Sequence, residues 1–200
     1  MNRVISRTKL IQKEELDTKE FSQIIAGNRI PKDFFITGGI GQSDITVHAG
    51  SYHLALREAG IEPYNIMVYS STLPSIATEV EKPDNLVHGS VMETIMACAN
   101  AEKGKRATAG IIFAWLHNRI TGQKHGGFVC EYNGNLPEHE AREQLKESLN
   151  ELYVNGYEQE FELRDLHLIS RSFVPNKKYG TALCALCFVN HAYPIQKIVV

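Results

Sequence analysis

The sequence predicts an α+β domain in which helices pack against layered sheets. Segments that favour strands occur in pairs, as at Ser90–Ala99 and Ala107–His117, where small and β-branched residues are frequent. Helical segments fall between such pairs and do not alternate strictly with strands, which is typical of the α+β class. The chain has 200 residues, of which 43% are hydrophobic, and this is enough to bury a core.

The first part of the chain divides into an arm and the start of a domain. Residues 1–30 carry dense charge and predict an N-terminal arm, so that residues 31–200 form a single domain. A strand is predicted over Asp33–Thr37, and the glycine-rich residues 38–44 that follow predict a loop with a tight turn.

The remaining elements follow from capping residues and apolar spacing. The segment S-Y-H-L-A-L-R-E-A-G is helical in composition, with Ser51 as its N-cap and Gly60 as its stop. A second helix begins after Pro137, and its leucines form one apolar stripe. The other predicted elements are a strand over Tyr64–Ser70, an irregular stretch over 72–88, a strand over 126–132, the second helix over Glu138–Val154, and final strands over 161–173 and 179–189.

Charge and composition exclude several classes of function. The net charge of −2 gives no general attraction for nucleic acid. The first residues lack the apolar core of a secretory signal, and no apolar run reaches the roughly 20 residues that cross a bilayer. These features predict a cytoplasmic protein without a membrane partner.

The cysteines resemble a metal or redox motif only in part. Cys184 and Cys187 form a C-x-x-C, but they lie in an apolar run that predicts a strand. Residues three apart on a strand point to opposite faces, so the two thiols cannot hold one metal ion. We therefore predict buried strand cysteines and no metal site.

Two adjacent serines, Ser70 and Ser71, end the apolar strand in N-I-M-V-Y-S-S-T-L-P. One interpretation is a strand end whose hydroxyls bind the last backbone groups. The other is that one serine attacks the backbone itself. The pair alone does not decide between them.

Several segments in order resemble the pyruvoyl-dependent arginine decarboxylase family, and its bacterial, chlamydial branch most closely. They are F-I-T-G-G-I-G-Q-S-D, S-Y-H-L-A-L-R-E-A-G-I, the strand with the serine pair, H-G-S-V-M-E-T-I-M-A, G-G-F-V-C-E-Y and K-Y-G-T-A-L-C-A-L. The resemblance covers roughly residues 33 to 190. It implies a four-layer α/β/β/α sandwich, assembled as trimers or dimers of trimers with active sites between subunits.

The resemblance also implies self-cleavage between Ser70 and Ser71. The Ser71 hydroxyl would attack the Ser70 carbonyl to form an ester, and elimination and hydrolysis would leave a pyruvoyl group at position 71. The products would be a β chain, 1–70, and an α chain, 71–200. The pyruvoyl ketone would condense with the amine of an amino-acid substrate, and no metal or pyridoxal phosphate would be needed.

Three further residues match site residues of the family. Glu131 would return a proton to the substrate α-carbon, although by itself it also fits a carboxylate at a strand end. Asn65 would assist processing or the active site, or else it is a turn residue before a strand. Leu56 would line the substrate pocket, although a core leucine would look the same.

His53 departs from the family pattern, in which an aspartate is expected to pair with the substrate guanidinium. Its spacing from Leu56 places the two residues on one helix face. Three accounts stay open: Asp44 or Glu58 supplies the carboxylate, a neighbouring subunit supplies it, or the substrate is not arginine. A buried histidine bonded to a neighbour is the structural alternative.

Conversion of L-arginine to agmatine and carbon dioxide is therefore the leading functional prediction. A decarboxylase for another amino acid and an unprocessed, non-catalytic relative are the alternatives. A serine hydrolase is disfavoured because G-x-S-x-G is absent from the sequence. Acid resistance and polyamine synthesis both use this reaction, and the sequence does not choose between them.

Overall fold

The computed structural model describes residues 23–85 and 87–199. Most of the predicted arm, residues 1–22, lies outside them. The division into an arm over 1–30 and one domain over 31–200 therefore stays a prediction. The strands are β1 (Gln23–Ala26), β2 (Ile30–Pro31), β3 (Asp33–Ser43), β4 (Asn65–Val68), β5 (Thr72–Pro74), β6 (Thr78–Glu79), β7 (Val91–Glu102), β8 (Ala107–Asn118), β9 (Lys124–Gly134), β10 (Phe161–Phe173), β11 (Tyr179–Phe188), β12 (His191–Ala192) and β13 (Ile195–Val199).

The helices cover fewer residues than the strands but are central to the packing. A π-helical turn over Val47–Tyr52 continues into α1 (His53–Glu58), and α2 spans Glu138–Gly156. The predicted helix over Glu138–Val154 is thus confirmed and is longer by two residues. Neither helix of the described residues is long and apolar enough to cross a membrane.

Two sheets dominate residues 29–192. The five-stranded sheet has the order β4-β7-β11-β3-β6, and the four-stranded sheet has the order β10-β8-β9-β5. A short β2–β12 pair accompanies them. Residues 23–28 and 193–199 belong to a separate unit, in which β1 and β13 pair antiparallel. That pairing was not predicted from the sequence.

Alternation along the strands distributes apolar side chains among three cores. The first core contains residues of both sheets, for example Ile95 and Leu186 of the five-stranded sheet and Phe113 of the four-stranded one. The second joins α1 to the five-stranded sheet, and the third joins Leu145 and Leu149 of α2 to the four-stranded sheet. This mixture of sheets and packed helices confirms the α+β class.

The prediction of buried strand cysteines is also confirmed by this distribution. Cys184 belongs to the core shared by the two sheets, and Cys187 belongs to the core beneath α1. The two thiols therefore point to opposite faces of β11. Burial raises the pKa of each to about 12.

The predicted loop over residues 38–44 is wrong, because β3 continues to Ser43. Two of its glycines, Gly39 and Gly41, are explained by the helix that lies across them. A Cβ atom at Gly39 would lie 2.3 Å from the carbonyl oxygen of Ala55, and one at Gly41 would lie 2.1 Å from that of Ser51. Glycine in a strand often marks such a close backbone approach.

The predicted N-cap at Ser51 is wrong as well. The helical turn begins at Val47, so Ser51 is inside it and fully buried, with its hydroxyl 2.9 Å from that of Thr181. The predicted stop at Gly60 is confirmed, since Gly60 has a φ of +70° directly after the helix C-cap.

Candidate active site

The serine pair lies where the chain passes from one sheet to the other. Before it, β4 ends in the five-stranded sheet, and the Tyr69 N–H donates to the Thr94 carbonyl at 2.7 Å. After it, β5 joins the four-stranded sheet, and the Val129 N–H donates to the Ser71 carbonyl at 3.0 Å. The Ser70–Ser71 peptide is therefore held from both sides by different sheets.

A tight turn surrounds this peptide bond. The Thr72 N–H donates to the carbonyl oxygen of Ser70 at 3.0 Å, which closes a three-residue turn around Ser71. Such a donor withdraws charge from the carbonyl and would stabilise an oxyanion formed on it. The carbonyl next to the Ser71 hydroxyl is thus already polarised.

Glu131 contacts the serine hydroxyl directly. The Ser71 Oγ donates to Glu131 Oε1 at 2.6 Å, although 60 residues separate them in the sequence. β9 positions this carboxylate: Val129 belongs to the core shared by the two sheets, and Glu131 is two residues further on the same face. Glu131 is half-buried, at the edge of that core.

Burial raises the pKa of Glu131 above its ordinary value of 4.5, and the hydrogen bond from Ser71 opposes this rise. A carboxylate in these surroundings is a stronger base than one in water, because its charged form is poorly solvated. Glu131 can therefore accept a proton from the hydroxyl and can later return one. Together with the Thr72 N–H, it supplies the groups that attack of a hydroxyl on the preceding carbonyl needs.

Asn65 is the first residue of β4, the strand that leads to the serine pair. Its Nδ2 donates to the Gly89 carbonyl at 2.7 Å, and its N–H donates to the Ser90 carbonyl at 2.9 Å. The four residues of β4 cover about 10 Å, so this side chain lies away from the Ser71 hydroxyl. The processing role of Asn65 stays a prediction.

Asp44 is far from the serine pair within one chain. It follows Ser43, which lies across β11 from Glu102 of β7, whereas Val68 of β4 pairs with Thr94. Eight residues along β7 separate Glu102 from Thr94, which corresponds to roughly 26 Å. Asp44 is exposed and accepts a hydrogen bond from the Lys178 N–H at 3.1 Å.

His53 and Leu56 lie on α1, behind the five-stranded sheet. Leu56 is 7% exposed and belongs to the core beneath the helix, whereas His53 is exposed. That core is on the face of the sheet opposite to the core of Glu131's neighbour Val129. The structure thus brings Ser71 and Glu131 together and places His53, Leu56 and Asp44 elsewhere.

A cavity of about 250 Å³ lies next to the serine pair in sequence, but neither Ser71 nor Glu131 lines it. It is lined by Thr72, Leu73, Pro74, Leu116 and Tyr157 and by residues of β9. Within 23–85 and 87–199, no group of three or more potential ligand side chains is placed to hold a metal ion.

Two contributors to the site were not predicted, namely the backbone N–H groups of Thr72 and Val129. Any residue except proline supplies an N–H, so sequence carries no signal for them. The Val129 N–H becomes visible only when the pairing of β5 with β9 is known, and the Thr72 N–H only when the turn around Ser71 is known.

The site thus combines a serine hydroxyl, a polarised preceding carbonyl and a half-buried carboxylate. Comparison with known proteins assigns the chain to a family. Residues 33–193 match the model of the family described as pyruvoyl-dependent arginine decarboxylase, and the chain belongs to that family.

Curated relatives agree with this assignment. A pyruvoyl-dependent arginine decarboxylase AaxB from Chlamydia abortus is 33% identical over 187 residues, which cover 82% of this chain and 93% of the relative. The protein of the same name from Chlamydia pneumoniae is 34% identical over the same shares. An archaeal pyruvoyl-dependent arginine decarboxylase, from Methanocella arvoryzae, is 33% identical over 108 residues, with 52% of this chain and 62% of the relative covered.

Proposed function

We propose that this protein is a pyruvoyl-dependent amino-acid decarboxylase that activates itself by cleavage between Ser70 and Ser71 and converts L-arginine to agmatine and carbon dioxide. The observation that carries the proposal is the 2.6 Å hydrogen bond from the Ser71 hydroxyl to Glu131, beside the Ser70 carbonyl that the Thr72 N–H polarises. The names of the relatives supply the choice of substrate.

The first step of cleavage uses Glu131 as a base. The Ser71 hydroxyl gives its proton to Glu131, and Oγ bonds to the Ser70 carbonyl carbon while the Thr72 N–H stabilises the developing oxyanion. The bond from that carbon to the Ser71 nitrogen then breaks, and the nitrogen takes up the proton. An ester has replaced the amide.

The second step removes the ester. The Ser71 α-carbon loses a proton, the bond from Cβ to Oγ breaks, and the Ser70 carboxylate leaves. Water then replaces nitrogen at the α-carbon, and ammonia is released. Overall, one water is consumed, and the products are a β chain over 1–70, ammonia, and an α chain over 71–200 that begins with a pyruvoyl group.

The residues around position 71 fit a pyruvoyl group. Its ketone supplies the electron sink into which the electrons of the departing carboxyl group pass. The Val129 N–H, which binds the Ser71 carbonyl at 3.0 Å, holds and polarises the carbonyl adjoining that sink. Glu131 then delivers a proton to the substrate α-carbon, as its burial favours the protonated form.

Cleavage is tested by mass and by one substitution. The purified protein should run as two bands on a denaturing gel, of about one third and two thirds of the chain. The larger fragment should begin at position 71 and should be lighter by one ammonia than a fragment with an N-terminal serine. Ser71→Ala should remain one band. A wild-type chain that stays intact and evolves no carbon dioxide would make the protein an unprocessed relative and refute the proposal.

The substrate-binding side chains are proposed to come from a second subunit. The β4 edge that leads to Ser71 exposes Met67 and Val68, and the surface around α1 exposes Ile45 and Leu54. An apolar strand edge invites another chain. Contact between these two different patches would be heterologous and would close into a ring, in agreement with the predicted trimer or dimer of trimers. The four-layer α/β/β/α order, with α1 and α2 outermost, is part of this proposal.

Mixed assemblies test the shared site. Ser71→Ala chains lack the reactive group, and His53→Ala chains lack the proposed binding residue. If each site takes Ser71 from one subunit and His53 from the next, randomly mixed assemblies should regain activity in about a quarter of their sites. Mixing that restores nothing, although each variant alone is inactive and oligomeric, would place the whole site within one chain.

The exposed His53 also favours a second candidate, a decarboxylase of the same mechanism for a different amino acid. A histidine cannot pair with a guanidinium as a carboxylate does. A panel of amino acids assayed for carbon dioxide release decides between the two. If arginine is the substrate and a carboxylate other than residue 53 binds its guanidinium, His53→Asp should change the KM for arginine little. Activity on an acidic or aromatic amino acid, without activity on arginine, would contradict the first choice.

A cytoplasmic location stays a prediction, which cell fractionation would test.

A further inference from the structure

A buried carboxylate on β7, Glu93, takes no part in the chemistry proposed above. It is 4% exposed and shares a strand face with Ile95, which belongs to the core between the sheets. Arg29 Nη2 contacts its Oε1, and His191 Nε2 contacts its Oε2. A buried charge is costly unless it is paired, and the Arg29 guanidinium provides the pairing, with the His191 ring beside it.

The same cluster holds the side chain of Tyr69. Arg29 Nη2 donates to the Tyr69 hydroxyl at 3.3 Å and also contacts Glu93, so Arg29 links the two side chains. Burial and then the nearby Glu93 raise the pKa of Tyr69. The ring lies 6.0 Å from that of Phe188, and the main chain is tied to Thr94. Tyr69 is therefore fixed at its backbone, its ring and its hydroxyl.

These contacts meet across the proposed cleavage point. Cleavage after Ser70 would leave Arg29 and Tyr69 on the β chain and Glu93 and His191 on the α chain. Tyr69 precedes the residue whose carbonyl is attacked, so its position determines where that carbonyl lies. A buried ion pair adds little net stability compared with apolar packing of similar volume. What this cluster can contribute is a fixed position for the Tyr69 side chain.

We propose that Glu93 and Tyr69 are positioning residues for self-cleavage. Through the Tyr69 hydroxyl, Arg29 and the buried Glu93 that it contacts hold the Ser70 carbonyl where the Ser71 hydroxyl can attack it and the Thr72 N–H can bind it. The inference rests on the proposed function, because it concerns the rate of that cleavage. Small displacements of reacting groups reduce rates strongly, and 1 Å can cost about 100-fold.

Tyr69→Phe tests this directly, since it removes the hydroxyl and keeps the ring beside Phe188. The wild type, Tyr69→Phe and the control Tyr64→Phe are synthesised in a cell-free pulse, and cleavage is followed during a chase. Tyr64 packs against the core beneath α1 and so provides a matched tyrosine. We expect Tyr69→Phe to cleave about 10- to 100-fold more slowly and Tyr64→Phe to cleave at the wild-type rate.

Two further measurements separate positioning from folding. In an uncleavable Ser71→Ala background, Tyr69→Phe should leave Tm unchanged, whereas a structural role would lower it. Hydroxylamine cleaves esters but not amides, so it rescues chains that have formed the ester and are slow to eliminate. It should not rescue Tyr69→Phe, in which the attack itself is slow. Glu93→Gln, which removes the charge that binds Arg29, should slow the same step.

The outcomes distinguish this inference from the proposed function. Wild-type chains that never cleave would refute the function itself. Wild-type cleavage with an equally fast Tyr69→Phe would refute only the positioning role. Slow cleavage accompanied by a lower Tm, or restored by hydroxylamine, would also overturn it, because the defect would then lie in stability or in elimination.

Discussion

Replacing Glu131 with glutamine keeps the shape of the site and removes its proton chemistry. The amide oxygen of the new side chain would still accept the hydrogen bond from Ser71 that Glu131 accepts at 2.6 Å, but it could not take the proton. A positioned base contributes typically 10²- to 10⁴-fold to a rate, which is about 3–5 kcal/mol of activation free energy. Self-cleavage of Glu131→Gln should therefore slow by about that factor.

The pH dependence gives a second, independent signature. The base must be ionised for cleavage, so the wild-type cleavage rate should fall as pH decreases through the raised pKa of Glu131, which lies above 4.5. Proton return to the α-carbon needs the protonated form, so decarboxylation by cleaved enzyme should instead fall as pH rises through that pKa. One group would thus give opposite slopes to two activities.

The assay follows pulse-labelled chains that are transferred into buffers of different pH, with cleavage scored on denaturing gels. Carbon dioxide release is measured separately on cleaved wild-type enzyme. Stability should change little, since a neutral amide avoids the desolvation cost that raises the pKa of the carboxyl group. Glu131→Gln chains that cleave at the wild-type rate, with the same pH slope, would refute the base role of Glu131. Another group would then accept the proton of the Ser71 hydroxyl.

Two predictions concern the fold. Gly39→Ala should destabilise the protein by about 3 kcal/mol or more, because its Cβ would lie 2.3 Å from the Ala55 carbonyl oxygen. Gly156→Ala is the control: nothing lies within 4 Å of its Cβ, and alanine should stabilise the end of α2 by about 0.5–1 kcal/mol. Urea unfolding measures both, and equal shifts would contradict the packing of α1. Cys184 and Cys187, with thiol pKa values raised to about 12, should resist iodoacetamide at pH 8 until denaturant is added; rapid labelling of the native protein would contradict their burial.

The regular elements were predictable where periodicity was strong. The strand over 161–173 and the helix that begins at Glu138 formed as predicted, because their patterns are local. Residues 38–43 were not, since their glycines are typical of a loop by composition and only the helix packed on them reveals a strand. The pairing of β1 with β13 joins opposite ends of the chain, and no local signal indicates such contacts.

The candidate site was predictable only in part, and for a related reason. Ser71 and Glu131 were selected through family resemblance, and their contact across 60 residues depends on sheet register that spacing does not encode. Glu93 was overlooked because it lies in an otherwise apolar strand, V-M-E-T-I-M. That context was itself a signal, since a carboxylate in a buried strand needs a partner.

The separation between Ser71 and the predicted binding residues has a consequence for how this protein can vary. The proposed bond cleavage would depend on groups gathered around one peptide, namely Ser71, Glu131 and the Thr72 N–H. His53 lies behind the five-stranded sheet and touches none of these groups. A change at His53 should therefore leave the groups proposed for self-cleavage undisturbed. Histidine at this position is compatible with the proposed self-cleavage, and the role of α1 in choosing the substrate stays a prediction.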